Sequence, residues 1–185
     1  TFDLDLGKRY HAIWLQITQG GTISKTSLAD VADALITQIR VKVNGKVQRT
    51  MKGGELHNIN ALMGSVYGAK TKASISSNFA STNVFYLPIW FAEPWRKNNA
   101  EVPLTAWNAA GIDSLQIEVE LASLTTPAIT GWYEYDAPTG GMGAIVKWIR
   151  QTFGASGSVQ DFNSISKLDW LQSIHLWPVD ESGTT

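Results

Sequence analysis

The sequence contains no cysteine among its 185 residues. This absence excludes disulfide bonds and every metal site that depends on cysteine ligands. A chain without cysteine also fits assembly in a reducing compartment.

Charged residues are scarce, at 17% of the chain, against about 25% in an ordinary soluble protein. The 15 basic residues nearly balance the 16 acidic ones, which leaves a formal net charge of −1. Because nucleic-acid-binding domains are normally basic along one face, we predict no specific nucleic-acid binding. A low surface charge instead favours a protein that covers part of its surface with partners. Hydrophobic residues make up 44% of the chain, enough to form a real core.

Long hydrophobic runs are missing as well. No apolar stretch approaches the roughly 18 residues that a membrane-spanning helix needs. The first ten residues, TFDLDLGKRY, are polar and mixed, unlike the apolar centre of a signal peptide.

Alternation of apolar and polar residues is the clearest pattern present, and it predicts half-buried antiparallel strands. The sequence Asn44-Gly45 between two such segments predicts a type I′ hairpin, because that turn needs positive φ at both positions. The segments that follow this pattern, or are rich in aromatic residues, are Tyr10 to Thr18, Leu35 to Val43, Lys46 to Met51, Ser114 to Leu121 and Thr130 to Asp136.

The segment from Asn83 to Phe91 is apolar on both faces. Phe85, Leu87, Ile89 and Phe91 share one side of the predicted strand, and Val84, Tyr86 and Trp90 share the other. A strand of this kind must be covered twice, once by its own core and once by another element or molecule.

Helical patterns are short. Ser27 is placed to cap a helical turn over 28–35, and residues 53–63 carry apolar residues at helical spacing. Residues 144–153 fit a helix or a strand equally well. We therefore predict an all-β fold, a jelly-roll β-sandwich at 1–155 with short helices in its loops. A linker at 156–166 follows, and 167–185 begin a second unit with a strand from Leu168 to Trp177.

The eight tryptophans offer two functional interpretations. Interfaces are enriched in tryptophan and arginine, so we name Trp90, Phe91, Trp95 and Arg96 as interface candidates. The alternative is a carbohydrate-binding jelly-roll module, in which Trp90, Trp95, Trp107 and Trp132 would line one exposed face.

Catalytic patterns are weak. His11, His57 and His175 are not spaced as metal ligands, and we predict neither a cofactor nor enzymatic activity. Two carboxylate pairs, Glu118 with Glu120 and Glu134 with Asp136, lie about 7 Å apart on strand faces. Such pairs serve glycosidases, or could hold an incidental divalent ion. They are usually just the solvated side of a sheet.

Three segments carry a family resemblance. ITQIRVKVNGKV has a strand that ends in a V-N-G turn, NVFYLPIWFAEP is the two-sided strand, and EVPLTAWNAAGIDSLQIEVELA leads from PLTAW into an alternating strand. In this order they resemble the double jelly-roll major capsid proteins of tailless icosahedral bacterial viruses with an internal membrane, of the corticovirus and tectivirus kind.

The resemblance implies a structural coat protein without catalytic residues. It implies homotrimers that form pseudo-hexagonal capsomers of an icosahedral virion, after assembly in the host cytoplasm. The implied partners are copies of the chain, other virion proteins and an internal viral membrane. Family members carry two jelly rolls in tandem, so we expect the 185-residue chain to be incomplete after the start of the second roll.

Overall fold

A computed structural model describes most of the first 150 residues. The described residues are 1–25, 27–67, 78–79, 84–93, 102–123, 126–138, 140–142, 145–150 and 174. The chain divides into a compact unit at Thr1–Arg150 and a second unit at Gln151–Thr185. The predicted strand from Leu168 to Trp177 falls in the second unit, outside the described residues except for position 174.

Ten strands and two α-helices make up the described part. The strands are β1 (Phe2–Asp3), β2 (Arg9–Thr18), β3 (Ile23–Ser24), β4 (Ile36–Val43), β5 (Lys46–Met51), β6 (Asn78–Phe79), β7 (Phe85–Trp90), β8 (Trp107–Asn108), β9 (Leu115–Leu121) and β10 (Ala128–Asp136). The α-helices are α1 (Leu28–Leu35) and α2 (Gly53–Tyr67), and a short 3-10 helix spans Val102–Thr105. The strands predicted from alternation are therefore confirmed.

Two antiparallel sheets carry the fold. One has the strand order β1-β9-β4-β5, and the other has the order β10-β2-β7, with β8 also paired to β2. Strands β3 and β6 form a small separate pair. In both sheets, strands that are distant in sequence pair with each other. The fold therefore depends mostly on contacts between residues far apart along the chain.

The core receives side chains from both sheets and both helices. The inward faces of β2 and β7 contribute aliphatic and aromatic residues, and those of β4 and β9 contribute branched residues. The fully buried members include Leu15, Ile17, Val31, Leu35, Ile39, Leu56, Phe85, Leu87 and Ile117. Val31, Leu35 and Leu56 come from the helices, whereas the other six occupy alternate positions along their strands. The period of two predicted from the sequence therefore directs the strand side chains into the core.

The hairpin between β4 and β5 has the predicted turn. Asn44 has φ of 49° and Gly45 has φ of 74°, as a type I′ turn requires. The Asn44 side chain also accepts hydrogen bonds from the backbone N–H groups of Asp113 and Ser114, at 2.8 and 3.1 Å. The turn therefore aligns the start of β9 with the hairpin.

The two helices pack closely against each other. The Ser27 hydroxyl caps α1 by accepting from the Asp30 N–H, as predicted. At the start of α2, Gly54 donates its N–H to the Asp33 carboxylate of α1 at 2.6 Å. A Cβ atom on Gly53 would lie 2.3 Å from the carbonyl oxygen of Ala32. Only glycine allows the backbones to approach this closely.

The last described segment of the first unit lies along the edge of β5. Trp148 forms a parallel bridge with Arg49. Its N–H donates to the Gln48 carbonyl, and its carbonyl accepts from the Thr50 N–H. Residues 145–150, which the sequence left open between helix and strand, are thus extended and cover an edge strand.

None of the helices in the described ranges is long and apolar enough to cross a membrane.

Candidate interaction surface

The predicted interface residues do not share one environment. Trp90 lies half-buried on the face of β7 that points away from the core. Phe91 is 1% exposed and packs against Trp107, with ring centroids 4.8 Å apart. Its side chain cannot contact another molecule, so we correct its assignment from the interface to the core. Trp95 and Arg96 lie outside the described residues.

Trp90 belongs to a cluster of four aromatic side chains on the outer face of the β10-β2-β7 sheet. The rings of Trp14 and Trp132 are stacked, 8° from parallel with centroids 6.1 Å apart. Trp14 meets Trp90 edge to face at 5.8 Å, and Tyr86 meets Trp132 edge to face at 5.9 Å. Trp132 is 45% exposed. We call Trp14, Tyr86, Trp90 and Trp132 the outer aromatic cluster.

Strand register brings the outer aromatic cluster together. Trp14 of β2 lies opposite Pro88 of β7 on one side and Trp132 of β10 on the other. Trp14 was not singled out from the sequence, although alternation with the inward Ile13 and Leu15 turns it outward. Alternation along β2 was therefore enough to indicate an outward Trp14. Its ring partners Trp90 and Trp132 could not be found in this way, because they lie on strands far away in the sequence.

Strand β10 is an edge strand with exposed aromatic residues on both faces. Tyr133 and Tyr135 lie on the other face from Trp132, and the two tyrosines are 36% and 53% exposed. The Lys8 ammonium group sits 4.6 and 4.4 Å from the centres of these two rings. Lys8 also donates to the Tyr133 hydroxyl at 3.0 Å and to the Asp5 carboxylate at 2.6 Å. The N-terminal loop thus holds one face of β10.

The carboxylates of β10 are already engaged. Glu134 accepts a hydrogen bond from the Trp14 indole at 2.9 Å. Asp136 pairs with Arg9, whose Nε donates to Oδ1 at 2.6 Å, and His11 Nε2 lies 3.1 Å from Oδ2. The hydrogen bonds from Arg9 and His11 lower the pKa of Asp136 to about 2. The Asp136–Arg9 pair therefore links the end of β10 to the start of β2.

Acid should weaken the ion pair between Asp136 and Arg9. The pKa of Asp136 is lower in the folded chain than its ordinary value of 3.8. Its stabilisation is therefore present above about pH 4 and lost as the pH falls toward 2. We expect Asp136→Asn to lower the stability at pH 7 by no more than about 1 kcal/mol, because the pair is partly exposed. The difference in Tm between wild type and variant should disappear between pH 4 and pH 2. An equal difference at both ends of that range would contradict this assignment.

The second carboxylate pair lies in an ion-pair ladder across β4 and β9. Arg40 reaches Glu120 at 2.9 Å and Glu118 at 3.5 Å. Lys42 donates to the Glu118 carboxylate, and this hydrogen bond is the largest cause of the lowered pKa of Glu118. Both carboxylates are thus neutralised by bases on the neighbouring strand. Among the described residues, no group of three or more metal-ligating side chains comes together.

The two described histidines are separated by the fold. His11 lies beside Asp136 on β2, whereas His57 lies on α2, with its ring 6.3 Å from that of Phe85. Burial lowers the pKa of His57 and so favours the neutral ring. His175 is outside the described residues.

A buried arginine joins the two sheets. Arg49 of β5 is 2% exposed. Its Nε donates to the Val146 carbonyl at 3.0 Å, and its Nη1 donates to the carbonyl of Trp90 on β7. The guanidinium carbon lies 4.6 Å from the Trp107 ring and 4.7 Å from the Trp148 ring.

The environment of Arg49 sets its charge. Burial lowers the pKa of Arg49 to about 9, and the Glu93 carboxylate opposes this shift. The side chain is therefore charged at neutral pH. The same site corrects one sequence interpretation: Trp107, proposed for an exposed sugar-binding face, is 1% exposed and forms one wall of the arginine site.

Taken with the fold, these features define a class of protein. Over the described residues it is a β-sandwich whose most exposed aromatic residues, Trp132, Tyr133 and Tyr135, lie on one strand. Exposed aromatic residues grouped in this way are typical of domains that pack against other molecules.

Residues 1–136 match the family described as the viral coat protein P2 N-terminal domain. The match covers well over half of the chain, and the chain belongs to this family. No curated protein matches the chain at a significant level.

The crystal structure of the major capsid protein P2 from bacteriophage PM2 is similar, with a TM-score of 0.53 and 18% sequence identity. The similarity covers 74% of this chain and 44% of that one. The chain thus spans less than half of the length of that capsid protein. At this identity the likeness shows the fold, and it confirms the predicted viral jelly-roll sandwich with short helices. The predicted resemblance to capsid proteins of corticovirus kind is also confirmed.

Proposed function

We propose that this chain is the first jelly roll of a viral major capsid protein and that its role is structural. The observation that carries the proposal is the family match over residues 1–136, which spans β1 to β10. The jelly-roll sandwich supports it independently through the likeness to a capsid protein.

The described surface supports a role without catalysis. Glu118, Glu120 and Asp136 are held in ion pairs with neighbouring strands, and Glu134 accepts from an indole. A carboxylate held by a strong base is a poor general acid, because its pKa is kept low. The lowered pKa values of Glu118 and Asp136 follow this rule. We propose that the protein is not an enzyme and needs no cofactor.

The proposed partners are copies of the same protein, arranged as trimers that build the capsid lattice. Other virion proteins and an internal viral membrane would contact the assembled shell, which would form in the host cytoplasm. In this proposal residues 1–155 are the first roll, 156–166 the linker and 167–185 the start of a second roll.

The mass of the native assembly tests the proposal. Full-length coat protein would be purified gently and measured by light scattering and native mass spectrometry, with and without divalent ions. We expect a trimer or a larger particle. A monomer under all salt and ion conditions would contradict the capsid role.

One observation favours a second candidate, a carbohydrate-binding module. Trp90 and Trp132 do lie on one sheet face, and Trp132 is 45% exposed, as such a module requires. However, Trp132 already stacks against Trp14, which occupies one face of its ring. A glycan screen with wild type and Trp132→Ala distinguishes the capsid role from the carbohydrate-binding module. Glycan binding that the substitution removes would favour the module. We expect no glycan binding by the wild type.

A further inference from the structure

We propose that helix α2 is an acid-sensitive cover over strand β7 and that it moves off Phe85 when His57 takes up a proton. The inference goes beyond the capsid role proposed above and does not depend on it, because it concerns one contact inside the first unit.

Two side chains of α2, about one helical turn apart, contact β7. The ring of His57 packs against that of Phe85, with centroids 6.3 Å apart and planes tilted by 47°. Asn60 donates its amide N–H to the carbonyl of Pro88 at 2.8 Å. Phe85 is 0% exposed and Asn60 is 1% exposed. A movement of α2 away from β7 would therefore open this part of the core to water.

The surroundings of His57 suit only the neutral ring. Its Nδ1 atom is buried and has no hydrogen-bond partner in the described part of the chain. The imidazolium carries an N–H on both nitrogens, so protonation leaves a buried N–H at Nδ1 without an acceptor. A charge in such a place is unfavourable unless an opposite charge lies beside it. Burial accordingly lowers the pKa of His57.

The charged and titratable side chains on the elements that contact α2 are directed elsewhere. They are Asp30 and Asp33 on α1, Arg40 and Lys42 on β4, Tyr86 on β7 and Glu55 on α2 itself. The α1 carboxylates accept from the Ser27 hydroxyl and the Gly54 N–H. The β4 bases pair with glutamates of β9, Tyr86 contacts Trp132 on the outer face, and Glu55 accepts from Arg150. Among the described residues, none of these groups offers His57 a counter-charge.

The contact between α2 and β7 should weaken in mild acid. The pKa of His57 is lower in the closed contact than its ordinary value of 6.5, so the contact is fully stable above about pH 6.5 and loses stability as the pH falls below it. Asp33 has the opposite effect, because burial raises its pKa and the folded form then binds the proton more tightly. The pKa values of Glu118 and Asp136 are lowered from 4.5 and 3.8, so both stay ionised at about pH 5.5.

Hydrogen exchange followed by mass spectrometry on the full-length protein tests the proposal. Amide protection, corrected for the intrinsic pH dependence of exchange, would be compared at about pH 7.5 and about pH 5.5. Because an undocked helix of this length is marginal in water, we expect the protection of α2 to fall at least about threefold in acid. Protection of β4 and β9 should stay nearly constant.

Two variants assign the effect to one ring. His57→Gln removes the titrating group and should abolish the fall in α2 protection. His11→Gln is the matched control, because His11 lies beside Asp136 on β2 and does not contact α2. The fall should persist in this control at the wild-type size.

Three results would overturn the proposal. The first is α2 protection that is equal at the two pH values. The second is an equal fall in wild type and His57→Gln, since another group would then be responsible. The third is a parallel loss of protection in α2, β4 and β9, because the unit would then unfold as a whole. If His57→Gln does not fold, NMR titration of the His57 ring in the wild type decides: a pKa at or above 6.5 contradicts the proposal, and a lower pKa that coincides with the change in α2 supports it.

Discussion

Replacing Arg49 by alanine is expected to cost about 3–5 kcal/mol of folding free energy, because it removes one partner from a buried charged network. The guanidinium is 2% exposed and donates to backbone carbonyls of Trp90 and Val146. Without it these hydrogen bonds are lost, and the cavity between Trp107 and Trp148 has no side chain to fill it. Urea unfolding followed by circular dichroism measures the effect.

Two further variants separate charge from shape at this site. Arg49→Lys keeps the charge but cannot stack a planar group between two indoles or donate in two fixed directions, so we expect it to remain clearly destabilised. Arg40→Ala is the surface control, because Arg40 pairs with exposed Glu120 and its loss should cost much less stability than the loss of Arg49. Equal losses of unfolding free energy for Arg49→Ala and Arg40→Ala would show that the buried arginine stabilises the fold no more than a surface ion pair does.

Replacing Gly53 by alanine is expected to destabilise the chain by about 2–3 kcal/mol, as overpacking of a rigid contact does. The new Cβ would lie 2.3 Å from the Ala32 carbonyl oxygen, 2.7 Å from the Ala32 carbonyl carbon and 3.1 Å from the Ile36 Cβ. The first two atoms are backbone and cannot rotate away, so α2 must move off α1. The same substitution in an unhindered helix stabilises by up to about 1 kcal/mol, so even the sign of the effect is informative.

Gly7→Ala is the control for this experiment. A Cβ at Gly7 would meet nothing within 4 Å, and we expect a change within about 0.5 kcal/mol. Thermal unfolding of both variants and of the wild type measures the two changes in stability. A stabilised Gly53→Ala protein would mean that the two helices do not approach as closely as described.

The period of two along the strands could be read without any structure. It predicted β4, β5 and β9 almost to the residue, because each strand has one face on the core and one face on solvent. The Asn44-Gly45 turn followed from local backbone preference. The same reasoning placed Phe85, Leu87, Ile89 and Phe91 on one face of β7, which is the core face.

Where alternation is interrupted, the sequence misleads. In β2 Ile13, Leu15 and Ile17 face the core, and unbroken alternation from these positions would turn Tyr10 outward. The pairing register shifts next to His11, with Ala12 opposite Glu134 and Tyr10 opposite Tyr135. Tyr10 is consequently buried, with 0% exposure. A bulge of this kind depends on the neighbouring strand, so no local pattern announces it.

The sequence by itself determined the long strands, the hairpin, the capped helix and the resemblance to viral coat proteins, because each of these depends on residues that are neighbours along the chain. The two-residue strands β1, β3, β6 and β8 were not predicted, since each is defined only by its partner strand. Only the tertiary structure decided which aromatic residues are buried and which form a surface. Trp107 became a wall around Arg49, while Trp14 and Trp132 met on the outer face. That outcome depends on register between distant strands, and register is set by packing of the whole sandwich rather than by any single segment.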